Sequence, residues 1–271
     1  MNPQSQNLSQ SILQTQGLAK SFLGLQALQD FSIDIRANEI LGLIGPNGAG
    51  KTTCFNLLTG FLIPTAGQIY FKGEAITGRS PAQIARAGLA RTFQNIRVFN
   101  TLSVLENVMA AAQLRTRFSL GELLLSAPGF RRKEDQVTAR AFELLTLLGL
   151  SEYADRPAAS LPYAYQRRLE IARALATEPQ LLLLDEPAAG MNPAESHSLH
   201  QLILDLRIRF QLTVLLVEHD MRLVMNLCER IIVLNYGKII AEGRPEVVRA
   251  NPQVIAAYLG EDHSQTEVIS A

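Results

Sequence analysis

Uninterrupted apolar runs of four to six residues recur along the chain, separated by stretches with apolar residues every third or fourth position. "EILGLIG" (Glu39–Gly45), "LLLLDEP" (Leu181–Pro187) and "LTVLLVEHD" (Leu212–Asp220) are runs of the first kind. A strand covered on both faces has no polar face to alternate with, so such runs predict buried strands of a largely parallel sheet. "KTTCFNLLTG" (Lys51–Gly60) reads as a helix closed by glycine, and "GQIYFKG" (Gly67–Gly73) as a hairpin-like strand. "RIIVLNYGKIIAEG" (Arg230–Gly243) predicts a hairpin turning at Tyr236-Gly237. Strands that alternate with helical patterns predict an α/β layer fold.

The stretch 102–161 differs from the rest. "VLENVMAAAQL", "LGELLLS" and "EDQVTARAFELLTLLGL" carry apolar residues at helical spacing and little strand signal, which predicts a helical subdomain inserted into the α/β core. Residues 1–11 and 261–271 are polar and are expected to be flexible tails around a domain spanning 12–260.

Composition narrows the class. In 271 residues, apolar types make up 47% and charged types 18%, which suits a folded domain with a large core. Lys plus Arg and Asp plus Glu balance at 25 each with no basic stripe, so nucleic acid is not an expected partner. Cys54 and Cys228 lack metal-ligand or redox spacing and read as buried reduced thiols. No signal-peptide pattern or spanning run is evident, so contact with a membrane is expected to be peripheral and on its cytoplasmic side.

The chemistry begins at "GPNGAGKTT" (Gly45, Pro46, Asn47, Gly48, Ala49, Gly50, Lys51, Thr52, Thr53). It matches G-x-x-x-x-G-K-[ST] between a strand and a helix. Glycines let backbone N–H groups wrap phosphates, Lys51 can reach the β- and γ-phosphates, and the Thr52 hydroxyl can bind Mg²⁺. At the end of "LLLLDEP", Asp185 is placed to hold Mg²⁺ and Glu186 to polarise an attacking water. His219 follows the next strand, beside the presumed γ-phosphate. Gln94 in "RTFQN" taken alone is an ordinary loop residue. His197 and His200, three apart on one helix with no third ligand, read as solvent-facing.

Together these residues resemble the ATP-binding cassette (ABC) family of transporter ATPases, over nearly the whole chain. The resemblance implies ATP and Mg²⁺ as ligands, and a P-loop ATPase core joined to an antiparallel β-subdomain and a helical subdomain. It places Gln94 at the family's glutamine loop, with a contact to Mg²⁺ or the water, and His219 at its γ-phosphate contact. Phe22 in "LAKSF" falls where the family stacks an aromatic ring on adenine. "LPYAYQRRLEIARALAT", "DEPAAGMNP" and "NPQVIAAYLGE" are similar to the ATPase subunits of bacterial importers for branched-chain and other hydrophobic amino acids. That likeness implies a second ATPase, a related chain or a second copy, two membrane permease subunits and an external binding protein. The region after Gln94 and the apolar "GELLLSAPGF" (residues 121–130) are candidate permease contacts.

One motif departs from the family pattern. The signature Leu-Ser-Gly-Gly-Gln, which meets the nucleotide of the opposite subunit, corresponds here to Leu161, Pro162, Tyr163, Ala164 and Tyr165. Pro162 has neither a hydroxyl nor an N–H, so one phosphate contact of the general family is lost. The amides of Ala164 and Tyr165 and the dipole of the following helix are expected to take over, and the tyrosines to cover the helix start, stack on ribose or pack at a dimer seam. This altered turn keeps a weakly catalytic regulatory subunit as an alternative. A cassette ATPase acting on nucleic acid is the other, although 102–161 is too short for a long coiled coil.

Overall fold

A computed structural model describes residues 11–115 and 128–259. Residues 1–10 of the expected tail 1–11, the expected tail 261–271 and most of "GELLLSAPGF" lie outside the described residues.

Two sheets share the chain. The first is antiparallel: β1 (Ser11–Phe22) lies between β2 (Leu25–Phe31) and β5 (Ala66–Phe71), β5 pairs with β6 (Glu74–Ala75), and β3 (Asp34–Arg36) pairs with β1. The second has the order β11-β10-β4-β9-β8-β7, with β4 (Ile40–Ile44), β7 (Leu89–Arg91), β8 (Leu181–Asp185), β9 (Thr213–Val217), β10 (Arg230–Asn235) and β11 (Lys238–Gly243). All its pairings are parallel except the β10–β11 hairpin. That hairpin turns at Tyr236 (φ 45°) and Gly237 (φ 75°), the two positive φ values of a tight two-residue turn.

The leucine and valine runs are buried on both faces, and the period of two sorts them. Leu41, Leu43, Leu181, Leu183, Leu215, Val217, Ile232 and Leu234 face the core shared with the antiparallel sheet and helix α1 (Lys51–Leu58). Ile40, Ile44, Leu182, Leu184, Val214, Leu216, Ile231 and Val233 face the helical side. There lie α3 (Val104–Ala112), α4 (Pro128–Leu147), α5 (Tyr163–Ala176), α6 (Pro193–Phe210) and α7 (Met221–Leu227). Helix α2 (Pro81–Ala87) precedes β7, and α8 (Pro245–Arg249) and α9 (Pro252–Leu259) follow β11. Among the described residues, 102–161 form helices and turns, with one isolated bridge between Ser103 and Pro157.

The N-terminal side differs from the sequence reading. β1 already starts at Ser11, inside the segment expected to be a tail, because Ser11 pairs with Arg36 of β3, and its hydroxyl also donates to the carbonyls of Leu13 and Ile35 at 3.0 and 3.2 Å. "SILQTQGLAKSF" is too polar to announce a strand, yet it buries Leu13 and Leu18 completely against α1 and β5.

Candidate functional site

Strand order explains why distant motifs meet. In a parallel sheet, chain ends leave at one edge, and β4, β9, β8 and β7 are neighbours. The phosphate loop follows β4, Glu218 and His219 follow β9, Glu186 follows β8, and Gln94 stands three residues beyond β7. The register pairs Asp185 with Val217, so the residues just past both strand ends are adjacent.

In the loop, Gly45 has φ 151°, and a Cβ there would sit 2.1 Å from the Leu234 carbonyl oxygen, so only glycine fits. The other wall is the hairpin turn, where the Gly237 N–H donates to the Ala49 carbonyl at 2.9 Å. Pro46 and Ala49 are buried, whereas Asn47, Gly48 and the Thr52 side of α1 face outward. Lys51 is buried and folds over its own loop, donating to the Gly45 and Pro46 carbonyls at 2.5 and 3.0 Å. Thr53 is half-buried beside it.

Glu186 is held at both carboxylate oxygens. Oε1 lies 2.6 Å from His219 Nε2, and Oε2 accepts from Gln94 Nε2 at 2.8 Å. Its backbone is left-handed at φ 48°, and its N–H donates to the Val217 carbonyl at 2.9 Å. The structure therefore brings Gln94, Glu186 and His219 into one hydrogen-bonded cluster beside the phosphate loop.

Asp185 is buried, and its Oδ2 is 2.7 Å from Arg91 Nη2, which leaves the other oxygen for any metal. The donor set of Asp185 carboxylate, Thr52 hydroxyl and Gln94 amide oxygen is made of hard oxygens, which fits Mg²⁺. Phe22 ends β1 and is 41% exposed, with the Lys20 ammonium 5.1 Å from its ring centroid.

The signature segment is helical from Tyr163, with Pro162 as its N-cap. Ala164 lies in ordinary helical conformation, so no positive φ excludes a side chain there. Two details differ from the sequence reading. The Tyr165 amide donates to the Pro162 carbonyl at 3.0 Å and is spent inside the helix. Its ring points inward, 5.1 Å from that of Tyr153, and packs on the helical core. Tyr163 remains 45% exposed, and its hydroxyl accepts from Arg167 at 3.1 Å. Leu169, Ala172, Leu175 and Ala176 form the buried face of α5.

His200 is a further correction. His197 is exposed, but His200 is only partly so; its Nε2 is buried with no hydrogen-bond partner among the described residues, and burial pushes its pKa down to about 4. Cys54 and Cys228 are free and buried, and burial pushes both thiols up.

Four buried charged residues near the site escaped the sequence reading. Arg91 is one. Arg167 and Glu170 of α5 are two more, and their only signal was a charged pair three apart on a core-facing helix. The fourth is Glu218, which accepts from the Ala188 and His219 amides at 2.9 and 3.2 Å. Burial, with Glu186 and Asp220 nearby, raises its carboxyl to about 7 against those amide bonds.

With this geometry in place, the likeness to known proteins is unambiguous. The profile of the family described as "ABC transporter" matches residues 28–189. A second profile, "Branched-chain amino acid ATP-binding cassette transporter", matches 238–264. The chain belongs to the ABC transporter family and is one of its ATP-binding cassette ATPases. It is 48% identical over 254 residues to the high-affinity branched-chain amino acid transport ATP-binding protein LivG of Escherichia coli (strain K12), covering 94% of this chain and all of that one. The corresponding BraF protein of Pseudomonas aeruginosa is 47% identical over 256 residues, covering 94% of this chain and all of BraF. A crystal structure of the ADP conformation of an ATP-binding cassette of an ABC transporter superposes with TM-score 0.80 at 34% identity, covering 93% of this chain and 99% of that one. Among the described residues, no helix is long and apolar enough to cross a membrane.

Proposed function

We propose that this chain is the ATP-hydrolysing subunit that powers import of branched-chain or other hydrophobic amino acids through a membrane permease. The observation that carries the hydrolytic part is the Gln94–Glu186–His219 cluster at the mouth of the phosphate loop. The amino-acid part is supported by the match of 238–264 to the branched-chain profile and by the similarity to LivG and BraF, which are branched-chain amino acid transport ATP-binding proteins. The partners of this reading are a second cassette, related or identical, two permease subunits, and an external binding protein reached through them. The place of action is the cytoplasmic face of the membrane.

Each residue has a part. Phe22 offers its exposed ring to adenine. The amides from Gly45 to Thr53 wrap the phosphates, and Lys51 exchanges its loop carbonyls for phosphate oxygens. Thr52, Asp185 and Gln94 would hold Mg²⁺, which when bound neutralises charge on the β- and γ-phosphates. Glu186 takes the proton of the attacking water as the water oxygen bonds to the γ-phosphorus and the β–γ bridging oxygen leaves with ADP. To do so one Glu186 oxygen exchanges its present partner for the water, while the other keeps the carboxylate aimed. His219 contacts the γ-phosphate. The turn Pro162–Tyr165 meets the nucleotide of the opposite subunit through the Tyr163 and Ala164 amides and the α5 dipole.

The test is Glu186→Gln in the transporter reconstituted in vesicles. ATP is still bound, hydrolysis falls at least about a hundredfold, and uptake of labelled leucine stops with it. Unchanged steady-state hydrolysis would remove Glu186 as the base. Hydrolysis by the wild type without uptake of any hydrophobic amino acid would remove the substrate assignment alone.

A further inference from the structure

The loop that carries Gln94 is held by side chains. Residues 92–99 form no regular element, so their main-chain groups must find other partners. Helix α5 supplies them. Arg167 is completely buried, and its Nη1 donates to the Phe93 carbonyl at 2.5 Å and to Glu170 Oε2 at 2.9 Å. Its Nη2 donates to the Gln94 carbonyl at 2.8 Å and to the Tyr163 hydroxyl at 3.1 Å. Glu170 Oε1 accepts from the amides of Phe93 and Arg97 at 3.1 and 3.3 Å. A buried guanidinium is a rigid fork, and no water replaces a bond it loses, so the helix and the loop are fastened together.

We infer that Arg167 and Glu170 are positioning residues that lock the Gln94 main chain to α5, so that movement of the Tyr163 turn is delivered to Gln94 and through it to Glu186. The path is continuous: Tyr163 hydroxyl, Arg167 fork, Gln94 carbonyl, Gln94 amide, Glu186 carboxylate. Its last bond is 2.8 Å long, and a shift of well under 1 Å weakens it. Tyr163 stands where such a path should begin. It is half-exposed at the start of α5, and its ring lies against Gly190, in the segment that follows Glu186. The tyrosine that replaces a signature glycine thus supplies the contact that glycine cannot make. The inference rests on the proposed reading that this turn meets a nucleotide, and it ties the state of one ATP site to the base of the other.

The experiment uses the reconstituted transporter, with a non-hydrolysable ATP analogue for amide hydrogen exchange across 93–97 and ATP for steady-state rates. In the wild type the analogue slows exchange at Phe93 and Arg97 by about tenfold. In Tyr163→Phe, which keeps the ring and removes only the hydroxyl, that response falls below about twofold and kcat falls about fivefold, with KM for ATP changed less than about twofold. Arg167→Lys keeps the charge but not the fork and gives a larger loss of the same kind. Wild-type exchange response and kcat in Tyr163→Phe would overturn the inference even if Arg167→Lys does not fold. Ala164→Asp separates the two levels. Undiminished hydrolysis in that variant would remove the turn from the nucleotide and overturn the reading beneath. Abolished hydrolysis there, together with wild-type behaviour of Tyr163→Phe, would overturn the transmission alone.

Discussion

Arg91 and Asp185 form an ion pair inside the protein, Nη2 to Oδ2 at 2.7 Å, with side chains only 6% and 5% exposed. Arg91 also donates to Asn56 Oδ1 at 2.6 Å and lies over the rings of Phe55 and Phe93 at 5.4 and 4.9 Å. One guanidinium thereby joins the helix of the phosphate loop, the strand leading to Gln94 and the acidic strand end. Removing one partner of a buried pair leaves the other charge desolvated, at a cost of about 3–5 kcal/mol. Arg91→Met is expected to lower the melting temperature by about 10 °C, and Arg91→Met combined with Asp185→Asn to recover part of it. Thermal unfolding followed by circular dichroism measures both.

The phosphate loop gives a steric prediction. Gly45→Ala places a Cβ on the Leu234 carbonyl in a backbone conformation that disfavours side chains. Either β10 or the loop must move, and the amides no longer converge. Affinity for a fluorescent ATP analogue is expected to fall at least about a hundredfold, a cost near 3 kcal/mol, as read by equilibrium titration.

Glu218 predicts a pH dependence. Its carboxyl rises from 4.5 to about 7 in the folded protein, so between those values the folded chain holds a proton that the unfolded chain releases. Stability from this group is complete below about pH 4.5 and is lost as pH rises through 7. Glu218→Gln does not titrate, and its single carbonyl oxygen keeps an acceptor for one of the Ala188 and His219 amides. The melting temperature of the wild type relative to this variant is expected to decline across that window, by the equivalent of about 3 kcal/mol. A parallel pair of curves would show that Glu218 titrates normally.

Ala164 predicts the effect of restoring the family's glycine. Because the position is helical and needs no positive φ, Ala164→Gly gains nothing in conformation and costs about 0.5–1 kcal/mol of helix stability. ATP turnover of the assembled transporter is expected to stay at or below that of the wild type. A rise of about fivefold or more would mean that Cβ of Ala164 obstructs the nucleotide.

The sequence by itself determined the parallel sheet, the phosphate loop and the acidic strand end. Local rules suffice there: a doubly buried strand must be apolar throughout, a loop that wraps phosphate must be glycine-rich, and a strand end must carry its acids at the next positions. The terminal hairpin at Tyr236-Gly237 and the buried face of α5 were legible for the same reason. β1 was not, because its apolar residues are sparse and only pairing with β2, β3 and β5 makes it a strand. Tyr165 looked available for a ligand until packing on Tyr153 turned it inward. Gln94, Glu186 and His219 are separated by up to 125 positions in the chain and become neighbours only because β7, β8 and β9 lie side by side. The buried charges Arg91, Arg167, Glu170 and Glu218 were decided by tertiary structure alone. A charge is stable out of water only where particular partners surround it, and those partners come from segments that no local pattern connects.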